Sequence, residues 1–240
     1  MPGSPRLALA KDILARQRNS EGANLRGFGV IGSVAEGKDL RHSDLDLVVL
    51  QLRPRGPRVE LREGVLVTYL RLTPQDARRE VTEPSLEMFG RLAGWRSLRP
   101  MFDPSGSLRR VRALARRDPP QKQFDEAARL GLLGLYEDVG KFRNAMETRD
   151  RSREQEIRDM AMWFAGEAMG ILYALRRHVP TDHRREFADL RRFGPLGRDI
   201  RRLRYDDLGL RGSSQLVEGI WTRLLAAARR RKIRLPAGLR

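Results

Sequence analysis

The sequence contains no cysteine. That excludes disulfides, thiolate metal sites and a cysteine nucleophile. It has only three histidines, His42, His178 and His183, and no two of them have the paired spacing of a metal site. His42 reads as a polar turn residue within reach of a phosphate; the other two flank a helix break and read as structural. Long apolar runs are also missing, so no stretch is suited to crossing a bilayer. The opening segment MPGSPRLALAKDILARQ is amphipathic and lacks a cleavage site, which predicts a first helix over residues 4–19 rather than a signal peptide. These absences together predict a cytoplasmic protein with no membrane partner.

Aromatic residues make up only 6% of the chain. Trp95, Trp163 and Trp221 are scattered, which predicts core packing rather than a stacking platform. Met160, Met162 and Met169 fall in a helix expected to be buried, where thioethers fill gaps. Lysine supplies only five of the 48 cationic side chains, and arginine the rest. That bias, together with only three asparagines, fits either a thermophile or a GC-rich genome.

Positive charge is abundant. The net charge of +17 is spread along the chain: residues 1–118 carry 22 basic and 14 acidic side chains, and residues 119–240 carry 26 and 17. Such an excess favours polyanionic substrates or partners, nucleic acid among them, because each cation beside a phosphate backbone releases counterions. The densest runs are RRFGPLGRDIRRLR (191–204) and RRRKIR (229–234), which are candidate phosphate-binding surfaces or simply solvated helix ends.

The pattern divides near the breaker RRDPP (116–120). Before it, LRGFGVIGS (25–33) reads as a buried strand entering a turn, and DLDLVVL (44–50) as a second strand. RVELREGVLVTYLRLT (58–73) reads as two strands around Glu63-Gly64. Thr73 and Pro74 then start a helix. MFDPSGSL (101–108) reads as a turn cluster. After the breaker the pattern is helical, with segments from Gln121, from Ser152 to His178, from about Thr181, and from Ser213 or Ser214 to about Arg231. The expected fold class is α+β: a mixed-sheet domain with flanking helices over residues 1–118, then an all-α bundle over residues 119–240.

The stretch GVIGSVAEGKDLRHSDLDLVVL (29–50) carries the chemistry. Gly32 and Ser33 close a strand and open a turn, where backbone N–H groups and a hydroxyl can hold a phosphate. Asp44 and Asp46 alternate on the next strand, so both carboxylates project from one face. Hard oxygen ligands of this kind suit Mg²⁺, which keeps its other positions for water and substrate phosphates. The stretch resembles the Gly-Ser … Asp-x-Asp signature of the DNA polymerase β superfamily of nucleotidyltransferases.

LYEDVGKFRNA (135–145) resembles the segment opening the helical C-terminal domain of kanamycin nucleotidyltransferase and its aminoglycoside-modifying relatives, and MFDPSGSL resembles the turn before that domain. The resemblance implies Glu137 as the general base on the acceptor hydroxyl and Lys141 on the nucleotide phosphates. It also implies Gly32 and Ser33 at the nucleotide, Asp44 and Asp46 as the Mg²⁺ ligands, and a nucleoside triphosphate, ATP foremost, as substrate. A cleft between the two domains and a homodimer completing each site would follow. Read without the resemblance, Glu137 and Lys141 are an i,i+4 salt bridge on a helix surface.

One departure stands out. The superfamily supplies a third carboxylate from the strand after the hairpin, where this chain has Leu66 or Thr68. Either Glu137 works with two metal ligands, or Glu60 substitutes, or the site is a degenerate, non-catalytic nucleotide-, RNA- or partner-binding module of an antitoxin-like kind. The acceptor is open among a small molecule, RNA and protein. The net charge argues against polycationic aminoglycosides, which bind best in an acidic cleft.

Overall fold

The computed structural model describes residues 4–148, 154–180 and 186–239. Ser152, Thr181 and His183, named above in the helical half, lie outside the described residues. The fold is mixed α+β and divides into two compact units, one of residues 1–83 and 91–118, the other of residues 84–90 and 119–240.

The first unit is built on a five-stranded sheet of order β3-β4-β2-β1-β5. Its strands are β1 (Leu25–Ile31), β2 (Leu45–Gln51), β3 (Arg58–Arg62), β4 (Val65–Leu72) and β5 (Arg99–Phe102). β1 runs antiparallel to β2 and β5, β3 antiparallel to β4, and β2 parallel to β4. Helix α1 (Pro5–Glu21) buries Leu9, Ala10 and Ile13 in one core with Phe28, Val30, Leu45, Leu47, Val49, Val67 and Tyr69. The short helix α2 (Gly32–Ala35) follows β1.

Helix α3 (Pro74–Thr82) begins as its residues predict: Pro74 is in its first turn, and Thr73 Oγ1 accepts the Asp76 N–H at 3.1 Å. Helices α4 (Leu86–Ser97) and α5 (Ser107–Arg116) complete the elements before the breaker. β5 includes Met101 and Phe102, the first two residues of the expected turn, and Gly29 admits it: a Cβ there would meet Leu98 Cδ1 at 2.8 Å and the Arg99 carbonyl at 3.0 Å.

The β3–β4 hairpin inverts the expected polarity. Val59, Leu61 and Leu66 face solvent, whereas Glu60 and Arg62 are largely covered. Glu60 accepts the Tyr69 hydroxyl at 2.6 Å and is ion-paired to Arg58 and Arg62, an arrangement that lowers its pKa.

The second unit is helical: α6 (Gln121–Glu147), α7 (Glu154–Arg176), α8 (Glu186–Asp189), α9 (Gly194–Tyr205) and α10 (Gly209–Arg230). Phe89 stacks on Phe124 with centroids 5.0 Å apart, and Trp221 is buried. Trp95 is buried too, in the first unit, but Trp163 is 66% exposed and Met162 is exposed, so the expectation of core packing fails for both. Their helix, α7, turns one face to the bundle and leaves residues 162 and 163 outside it. Among the described residues no helix is long and apolar enough to cross a membrane.

The hairpin turn yields the first prediction. Glu63 and Gly64 both have positive φ, 51° and 75°, as a type I′ turn requires. Glutamate is strained there and asparagine is tolerated. Glu63→Asn should raise unfolding stability by about 0.5–1 kcal/mol, read by urea denaturation.

Candidate functional site

The β1–β2 register assembles the site in the first unit. Ile31 pairs with Asp46, so the turn entered at Gly32 lies beside the second carboxylate of the D-x-D pair. Gly32 has φ 72°, and a Cβ on it would stand 3.3 Å from Asp46 Oδ2. Glycine is therefore favoured by the backbone conformation, and a Cβ in its place would crowd the carboxylate. The Gly32 N–H is donated to Ser97 Oγ at 2.9 Å, and that hydroxyl donates to the Gly94 carbonyl at 2.7 Å. Gly32 thus acts by shape, and its N–H is already engaged. The Ser33 hydroxyl has no partner among the described residues.

Asp44 is exposed just before β2, and Asp46 is partly covered on it. Burial, and then the neighbouring Asp44 charge, push the Asp46 pKa from 3.8 up to about 6. A carboxylate pair strained in this way is relieved by a cation. Among the described residues no group of three or more carboxylates and histidines could hold a metal. A cation here would therefore take two protein carboxylates and fill its remaining positions with water and phosphate oxygens, which suits Mg²⁺.

The third-acid question has a geometric answer on the sheet. Thr68 pairs laterally with Asp46 across β4 and β2, on the same face. Glu60 pairs with Val67, whose side chain points to the opposite face. Glu60 therefore does not replace the missing carboxylate, and Thr68 occupies the position beside Asp46.

A clamp that the sequence did not reveal holds the approach to Asp44. Arg6, on α1, donates to the carbonyls of Ser43 at 2.7 Å and Arg41 at 2.6 Å, and pairs with Asp39 at 3.4 Å. Ser4 Oγ donates to the same Asp39 oxygen at 2.7 Å, and Ser43 Oγ accepts the Leu40 N–H at 2.8 Å. Nothing local marks Arg6 among so many arginines; only its contacts across more than thirty residues of sequence single it out.

Glu137 and Lys141 lie on α6 in the second unit. They form an i,i+4 ion pair of 2.7 Å with side chains 71% and 59% exposed. The hydrogen bond from Lys141 lowers the Glu137 pKa. Arg143 is engaged by Glu218 through two 2.7 Å hydrogen bonds.

No family model matches the sequence, and no curated protein matches it. Among solved structures, a protein from Exiguobacterium sibiricum described as nucleotidyltransferase-like superposes with a TM-score of 0.58 over 92% of this chain and 75% of that one, at 11% identity. The chain has a nucleotidyltransferase-like fold. At that identity the likeness concerns the fold alone.

Two predictions follow from the site. Folding raises the Asp46 pKa, so ionisation of Asp46 opposes folding. Its penalty is absent below about pH 4, grows to about pH 6 and persists above. With solvent screening allowed for, the penalty is about 1–2 kcal/mol. Asp46→Asn should therefore melt about 2–5 °C above wild type at pH 7.5 without divalent cations, the gap closing at pH 4. Arg6→Lys keeps the charge but cannot reach two carbonyls and a carboxylate together. It should cost about 1–3 kcal/mol in urea unfolding.

Proposed function

We propose that the chain is a metal-dependent nucleotidyltransferase that moves a nucleoside monophosphate, AMP foremost, from a triphosphate to an acceptor hydroxyl. Kinship with the kanamycin-type enzymes is part of the same proposal. The observation that carries it is the Asp44–Asp46 pair set against the Gly32-Ser33 turn, with burial and the Asp44 charge raising the Asp46 pKa to about 6. The nucleotidyltransferase-like fold supports this reading.

In this mechanism Asp44 and Asp46 would hold Mg²⁺, which would supply charge neutralisation at the phosphates. Ser33 donates its hydroxyl to a phosphate oxygen. The acceptor oxygen bonds to the α-phosphorus as the bond to the β-phosphate bridge breaks, releasing pyrophosphate. Glu137 takes the acceptor's proton and Lys141 balances phosphate charge. With Lys141 bound to it Glu137 is a weak base, so its basicity is restored when phosphates draw Lys141 away.

A second reading, a nucleotide-binding module without turnover, is favoured by Thr68 in the lateral position beside Asp46. Calorimetric titration of ATP with Mg²⁺, followed by transfer from α-labelled ATP, separates the two. The transferase reading expects metal-dependent binding that is lost in the Asp44→Asn, Asp46→Asn double variant, and label transfer lowered by Glu137→Gln. Binding without transfer to small-molecule, RNA or protein acceptors would favour the module, and no binding by wild type would end both readings. Thr68→Asp should lower the melting temperature without metal and tighten Mg²⁺ binding, because a third carboxylate adds both repulsion and a ligand.

A further inference from the structure

The first unit carries an arginine-rimmed groove that the proposed site does not use. α3 and α5 pack side by side and leave between them an open groove of about 500 Å³, floored by Val111, Leu114 and Pro74 and rimmed by Arg78, Arg110 and Arg117. No ion pair among the described residues involves any of the three. The carboxylates nearest in sequence are engaged elsewhere. Asp76 is bonded to Thr73 and paired with Arg79. Asp103 accepts the Leu108 and Arg109 N–H groups and pairs with the Arg109 side chain. Asp118 pairs with Arg96.

The helix dipole does not explain this arrangement. Arg117, just past the end of α5, is favoured there, but Arg110 lies in the opening turn, where no acidic residue offsets it and a cation opposes the dipole. Arg110 is held in place by hydrogen bonds to the Ser105 carbonyl at 2.8 Å and to Ser107 Oγ at 3.1 Å. A guanidinium fixed in an unfavourable position and left without a carboxylate is poised for an external anion.

We infer that this groove docks single-stranded RNA, with phosphates along the arginine rim and nucleosides against the apolar floor. The seven residues from Arg110 to Arg117 advance about 10 Å along the helix. That is about three nucleotides at the roughly 3.4 Å rise of a stacked strand, more than one isolated phosphate fills. The alternation of charged rim and apolar floor matches a nucleic-acid strand better than an acidic peptide. The site is separate from Asp44 and Asp46, so docking does not depend on the transferase reading.

The test is fluorescence anisotropy of a fluorescein-labelled 12-mer of uridine across a salt series, with Arg78→Ala/Arg117→Ala set against Arg191→Ala/Arg198→Ala. The latter pair removes two exposed arginines from the second unit. All variants are first matched by melting temperature. The groove variant should bind at least tenfold more weakly at 100 mM salt, and its slope of log affinity against log salt should shrink by about 1.4, since each lost single-strand phosphate contact removes about 0.7. The control pair should change affinity less than twofold. An unchanged groove variant, equal losses in both arginine pairs, or displacement of the RNA by polyglutamate of equal charge would overturn the proposal.

Discussion

The antiparallel register of β1 against β2 is the constraint on which the site depends. By setting Ile31 opposite Asp46 it brings the Gly32-Ser33 turn against a carboxylate thirteen residues further along the chain. Gly32 adopts the positive φ of that turn and leaves room for the carboxylate, and Ser97 anchors its N–H. Arg6 and Asp39 fix the loop that delivers Asp44. A shift of one residue would send Asp46 into the apolar core that α1 shares with Leu45 and Leu47, where an ionised carboxylate is costly.

The same strand that gains a functional face pays in stability. Asp46 is held where burial and Asp44 both resist its charge. On the proposed function, a divalent cation with phosphate oxygens would offset that penalty. Arginine distribution shows a similar contrast. Arg6, Arg62 and Arg143 are paired with carboxylates, while Arg78, Arg110 and Arg117 share a groove with no acid. Net charge alone does not distinguish these roles; partners do.

Much of this was legible in the sequence where local chemistry decides the structure. Thr73 and Pro74 mark the start of α3, Glu63-Gly64 marks the hairpin turn, and the alternation in DLDLVVL puts Asp46 on a strand, with Asp44 just before it. The illegible parts are those decided by distant packing. β5 contains a proline and is only four residues long, α4 carries two internal glycines, and α5 hides its Leu108, Val111 and Ala115 face among arginines. Alternation in RVELR shows two faces but not which is covered, so the burial of Glu60 beneath Tyr69 could not be read. Nor could the exposure of Trp163, since a tryptophan on an amphipathic helix usually points inward.

The central claim is that Asp44 and Asp46 hold the metal of a nucleotide beside the Gly32-Ser33 turn. Anomalous diffraction from crystals grown with Mn²⁺ and a non-hydrolysable ATP analogue tests it most directly. The account predicts a manganese peak at the two carboxylates, with the triphosphate within hydrogen-bond reach of the Ser33 hydroxyl. A nucleotide ordered elsewhere on the chain, with no manganese at Asp44 and Asp46, would contradict it.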